Sequence, residues 1–125
     1  MPEKVVRLRP DGGPVTVEVA ASAPSGICTL RLWDEEGRNP RPIGTCTIPT
    51  GTPEPLGLGA VQELGGRMLT WRFRLDPVDR SARQRYQTRI RILQGGEVAP
   101  GGEFYDSGPL DEFEERGDRF LFGVA

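Results

Sequence analysis

Four arginines in two alternating runs are the residues best suited to chemistry. Arg72 and Arg74 lie within Leu69-Thr70-Trp71-Arg72-Phe73-Arg74-Leu75, and Arg89 and Arg91 within Tyr86-Gln87-Thr88-Arg89-Ile90-Arg91-Ile92. A guanidinium group offers planar, bidentate donation to carboxylates and phosphates. Alternation of period two puts each arginine pair on the polar face of its strand. If the two strands are neighbours, the four groups form one patch, able to hold an acidic protein, a nucleic acid or a phosphorylated ligand. Charge along the chain is uneven: Arg67 to Gln94 carries a net +6, and Glu97 to Asp118 a net −7. The acidic stretch contains Asp111, Glu112, Glu114, Glu115 and Asp118. The arginine face is therefore expected to meet an acidic surface: this chain's own segment, another copy's, or a different protein's. The plainer alternative is a solvated face whose charges discourage edge pairing.

Other chemistries are poorly supplied. The sequence has no histidine, which removes the usual general base near neutral pH and the commonest metal ligand. Lys4 is the only lysine, and no phosphate-cradling glycine motif sits in a strand-turn-helix context. Paired carboxylates can be imagined, but none is specified, so a small carboxylate enzyme is the least favoured reading. Two cysteines without histidine make a poor zinc site. Asp34-Glu35-Glu36-Gly37, Asp76 with Asp79, and Asp106 invite a calcium reading, yet no spacing supplies the oxygens calcium requires. A glycan platform needs an exposed aromatic. Trp71 shares the apolar phase of Leu69 and Phe73, whereas Trp33 shares the polar phase of Thr29 and Arg31. Nucleic acid is opposed by the net charge of −2 and by the lack of aromatics among the arginines. No cofactor is expected. Trp33 joins Arg72, Arg74, Arg89 and Arg91 as a candidate partner-binding residue.

These residues must be positioned by strands. Val15–Val19, Cys28–Leu32, Leu69–Leu75 and Tyr86–Ile92 alternate cleanly. Weaker candidates are Lys4–Arg9, Ile43–Ile48, Ala60–Leu64, Glu97–Ala99 with Phe104–Tyr105, and Phe120–Val124. Asp11-Gly12-Gly13-Pro14, Ala23-Pro24-Ser25-Gly26 and Gly95-Gly96 supply turns, and Gly65-Gly66 reads as a two-residue hairpin. A hairpin symmetric about Gly37 sets Cys28 opposite Cys46, near each other and expected to be reduced. One short helix is expected from Pro109 to Arg116, and Pro49–Gly59 reads as a loop able to contact a partner.

With 125 residues, one domain over 1–125 is expected. Closely spaced strands with glycine and proline between them point to an all-β, antiparallel β-sandwich. Leu75, Pro77, Tyr86, Thr88, Ile90 and Ile92 resemble the late strands of immunoglobulin-like and fibronectin-like sandwiches, where a tyrosine opens an alternating strand after a corner. That resemblance implies the architecture and no particular function. No apolar stretch resembles a signal peptide or a membrane span, so a cytoplasmic location is expected. The expected function is a non-catalytic protein-interaction or assembly module. A β-sandwich binding a glycan or calcium is the alternative.

Overall fold

The computed structural model describes residues 4–78 and 83–124. It is an all-β sandwich of nine strands among the described residues: β1 Val5–Leu8, β2 Val15–Ser22, β3 Ser25–Trp33, β4 Arg41–Ile48, β5 Leu56–Gly59, β6 Met68–Asp76, β7 Arg85–Gln94, β8 Glu97–Pro109 and β9 Glu114–Val124. One sheet has the order β1-β9-β6-β3-β4, and the other β5-β2-β7-β8. Pairing is antiparallel except between β1 and β9, which run parallel.

Alternation built this arrangement. Leu69, Trp71, Phe73 and Leu75 are buried along β6, and Tyr86, Thr88, Ile90 and Ile92 along β7. Each strand needs a partner surface for that apolar face, and the two sheets supply it to each other. Phe73, Phe120, Phe122, Leu30 and Leu32 fill the space between. Gln94 is buried and spends its amide on one backbone residue. Its Oε1 accepts from the Arg9 N–H at 2.9 Å, and its Nε2 donates to the Arg9 carbonyl at 2.8 Å. The β1–β2 turn is thereby fixed to β7.

Four local expectations fail where tertiary context outweighs local preference. Pro109–Arg116 is not a helix. β8 runs to Pro109, Leu110 is fully buried with its N–H donating to Gln84 O at 2.8 Å, and β9 begins at Glu114. Among the described residues the one short helix is α1, Val61–Leu64, where a strand was expected. Val61 and Leu64, three apart, both point into the core, which suits a single helical turn. Gly65-Gly66 is not a hairpin, because the strands on either side, β5 and β6, belong to different sheets. The Pro49–Gly59 segment likewise ends in β5, which pairs with Val15–Val17 of β2.

The cysteine geometry is as expected: Cys28 and Cys46 are register partners on β3 and β4, and both are free. Burial pushes both thiols up, Cys28 well beyond the ordinary thiol range and further raised by Cys46. Since the thiolate is the reactive form, both should react slowly with a disulfide reagent, Cys46 first. Cys28 should react only as fast as the protein unfolds. Equal labelling rates in the native protein would show instead that the β3–β4 hairpin opens locally.

No helix among the described residues is long and apolar enough to cross a membrane.

Candidate functional site

The outward residues of the five-stranded sheet follow from its register. Thr45 of β4, Thr29 of β3, Arg72 of β6 and Gly117 of β9 form one row across the strands. The next row on one side is Thr47, Ile27, Arg74 and Glu115, and on the other Pro42, Arg31, Thr70 and Arg119. Trp33 ends β3 beside Thr70. The face is a grid of arginine and threonine, with isoleucine and tryptophan at its corners.

It is also concave. A hollow of about 450 Å³ lies among Ile27, Thr29, Arg31, Trp33 and Arg72, and a second of about 440 Å³ adjoins it between Arg72, Gly117 and Arg119. Gly117 explains the second hollow, since it puts no side chain beside Arg72. Nor could it carry one easily, because a Cβ there would lie 2.5 Å from the Trp71 carbonyl oxygen.

Partners differ across the grid. Arg74 Nε lies 3.4 Å from Glu115 Oε1, a neutralised pair at the rim. Arg31 and Arg72 are exposed and have no acidic partner among the described residues. Trp33 is half-buried, and its Nε1 donates to Thr70 Oγ1 at 2.8 Å. The indole is thus held in one orientation beside two cations that have no acidic partner among the described residues. Two guanidinium groups, two threonine hydroxyls and an anchored aromatic can receive carboxylates and an apolar side chain together.

The structure unites Trp33, Arg72 and Arg74, but it separates them from Arg89 and Arg91. The four-arginine patch does not exist. β6 and β7 lie in opposite sheets whose apolar faces meet, so their polar faces point away from each other. Arg91 pairs with Glu103 at 2.9 Å, and Arg89 lies opposite the exposed Tyr105. The acidic segment is divided as well. Asp111 and Glu112 are exposed ahead of β9, Glu115 reaches Arg74, and Asp118 takes Lys4 at 2.7 Å. Glu114 sits 3.5 Å from Arg116, which bridges to Asp106 of the other sheet at 2.6 Å. Strand alternation, absent from a helix reading, sends Glu114, Arg116 and Asp118 to the inner side of β9 and Glu115 to the outer side.

Arg31 is the residue that sequence reasoning passed over. Its phase with Thr29 and Trp33 was readable, but its place beside Thr70 and near Arg72 depends on β3 pairing with β6.

The carboxylates considered for calcium have other work. Asp34 accepts from the Glu36 and Arg38 amides and from Asn39 Nδ2, and these bonds, led by that from Arg38, lower its pKa. Asp76 accepts from the Val78 amide, and Asp106 from Arg116 and Tyr86. Asp79 lies outside the described residues. Among the described residues, no three cysteine or carboxylate side chains gather as a metal site.

Comparison with known proteins finds no matching family model, no matching curated protein and no matching solved structure.

Proposed function

We propose that this chain is a non-catalytic interaction module whose outer five-stranded face docks an acidic surface of another protein. One observation carries the reading: among the described residues Arg31 and Arg72 have no acidic partner, and they stand on a concave face beside a tryptophan already fixed by its hydrogen bond. Side chains held in place before binding lose less freedom on binding. Charge complementarity of this kind governs specificity and association rate more than it governs stability. The absence of histidine from the sequence supports the non-catalytic reading. The two packed sheets and Tyr86 at the start of β7 support an immunoglobulin-like kinship of architecture, and a cytoplasmic setting fits the expectation of reduced thiols.

A fluorescent peptide rich in glutamate serves as a first probe. It should bind the wild type with an affinity that falls as salt is added. Arg31→Glu combined with Arg72→Glu should weaken binding roughly tenfold or more with little change in melting temperature, because exposed charges contribute little to stability. Arg89→Glu, on the opposite sheet, should change binding little. Equal weakening by both variants would mean that the peptide senses overall charge, and the face would lose its claim.

A further inference from the structure

We infer that the outer face of the four-stranded sheet binds a glycan residue carrying a single carboxylate, in a hollow bordered by Arg89 and Tyr105. This face belongs to the other sheet from Arg31 and Arg72 and does not depend on their role.

The pairing of β2, β7 and β8 sets the rows across this face. Ala20, Arg89 and Tyr105 form one row, with Ser22, Gln87 and Ser107 on one side of it and Glu18, Arg91 and Glu103 on the other. β5 pairs with β2 only at Val15–Val17, and beyond that point the chain ahead of β5 flanks β2 instead. Thr50 fixes it there. Its N–H donates to the Ala21 carbonyl at 3.0 Å, and its Oγ1 accepts from the Ala21 N–H at 2.9 Å. Ala20 and Ser22 are too small to fill the space between this wall and β7. An open hollow of about 340 Å³ results, running from Thr50 and Pro53 over Ala20 to Arg89 and Tyr105.

Its side chains suit a sugar. The ring of Tyr105 is 58% exposed, and among the described residues neither a cation nor a second ring covers it. It is the exposed aromatic that a glycan platform needs. Arg89 is half-buried and has no acidic partner among the described residues. Gln87 is exposed beside it and adds an amide. A pyranose has an apolar C–H face, which packs on an aromatic ring, and a rim of hydroxyls. The rim calls for planar groups that donate and accept at fixed angles, as an amide and a guanidinium do. The guanidinium is also shaped to hold a carboxylate through parallel bonds.

Charge narrows the ligand further. Glu18 and Glu103 stand in the adjoining row on either side of Arg91, and Arg91 is engaged by Glu103 at 2.9 Å. Glu18 is therefore left as surplus acid diagonal to Arg89. A ligand with several negative charges, such as an acidic peptide or a doubly charged phosphate, would be repelled there. One carboxylate entering from the Gln87 side meets Arg89 and stays clear of Glu18. The hollow is shallow, with the footprint of one or two sugar rings, unlike the enclosed apolar pocket that suits a drug-like ligand.

Titration followed by amide chemical shifts tests this. Sialyllactose and a glucuronate-terminated disaccharide are the probes, lactose is the neutral control, and sodium acetate is the bare carboxylate. Both acidic probes should shift the amides of Ala20, Gln87, Arg89 and Tyr105. Lactose should bind roughly tenfold more weakly, the loss of one charge-assisted contact, and acetate should leave those amides unmoved. Arg89→Gln should weaken the acidic probes roughly tenfold without changing lactose. Tyr105→Ala should weaken all three sugars, and Ala20→Leu, which fills the floor, should abolish binding. Arg31→Glu combined with Arg72→Glu should leave the sugars bound, which keeps this site distinct from the proposed protein-docking face. The inference is overturned if neither acidic probe shifts these amides at tens of millimolar, if the shifts fall elsewhere, or if lactose or acetate matches the acidic probes. Binding indifferent to both Arg89→Gln and Tyr105→Ala overturns it as well. The shift map uses only the wild type, so a variant that misfolds does not remove the test.

Discussion

Trp71→Ala should lower stability by about 3–5 kcal/mol, the usual cost of emptying a buried tryptophan site. Trp71 is 3% exposed and lies between two rings, with centroids 5.2 Å from Phe104 and 4.8 Å from Phe120. Phe120 and Trp71 belong to one sheet and Phe104 to the other, so the indole ties the two layers together. Its Nε1 has no hydrogen-bond partner among the described residues. A buried donor left unpaired costs roughly 1–3 kcal/mol. Trp71→Phe therefore removes a penalty along with some packing, and should cost far less than Trp71→Ala. Chemical denaturation of the two variants provides the comparison. Equal losses would show that the indole's polar atom is satisfied in solution. Trp33→Ala should fall between a core and a surface change, about 1–2 kcal/mol, because it gives up a half-buried ring and the bond to Thr70. The outward phase of Trp33 alone would suggest a surface-like loss, and the bond to Thr70 raises it.

Gly101→Ala should be the most damaging of the glycine substitutions in loops and strands, at about 2–4 kcal/mol, combining backbone strain with overpacking. Gly101 has φ +78°, where a side chain is itself unfavourable. A Cβ there would also fall against the Val5 carbonyl oxygen, where β8 passes close to β1. Gly96 separates the two effects. Its φ of +85° is similar, but a Cβ there would meet nothing within 4 Å. Gly96→Ala should cost only the backbone component, roughly 1–2 kcal/mol. Thermal melts of both variants measure the difference, which is the contribution of close contact between β8 and β1. If the two variants lose the same amount, that contact is loose.

Period-two alternation made most of the sandwich legible. β2, β3, β6 and β7 each repeat a buried and an exposed residue, and a strand must turn one face inward whatever its neighbours are. β9 was legible only from Phe120 onward. Its first half places Glu114, Arg116 and Asp118 on the inner side, so the pattern there has no apolar phase to read. Those charges are compensated by Asp106 and Lys4, which come from distant parts of the chain. β5 was hidden by Pro53, Pro55 and three glycines, residues that signal a loop until β2 provides an edge for Leu56–Gly59. The candidate face was half legible for a related reason. Phase within a strand assigned Arg72, Arg74 and Trp33 to outward positions. Which strands lie side by side is set by packing between sheets, and that joined Arg31 to the group while sending Arg89 and Arg91 to the far side.

The parallel pairing of β1 with β9 also determines the order in which the molecule can assemble during synthesis. In its own sheet β1 touches only β9, so Val6 pairs with Phe122 across nearly the whole sequence. On the ribosome β1 emerges well before β9, and it has no strand to pair with in its own sheet until β9 has been made. Val6 and Leu8, fully buried in the finished fold, lack their strand partner for that interval. Contacts spanning such separations must overcome a large loop-closure cost before they give any stability, which places folding in the slow range typical of β-sandwiches, milliseconds to seconds. β6 has its β3 partner as soon as it is synthesised, whereas its other edge stays open until β9 arrives. The five-stranded sheet therefore closes late, when β9 inserts between β6 and β1.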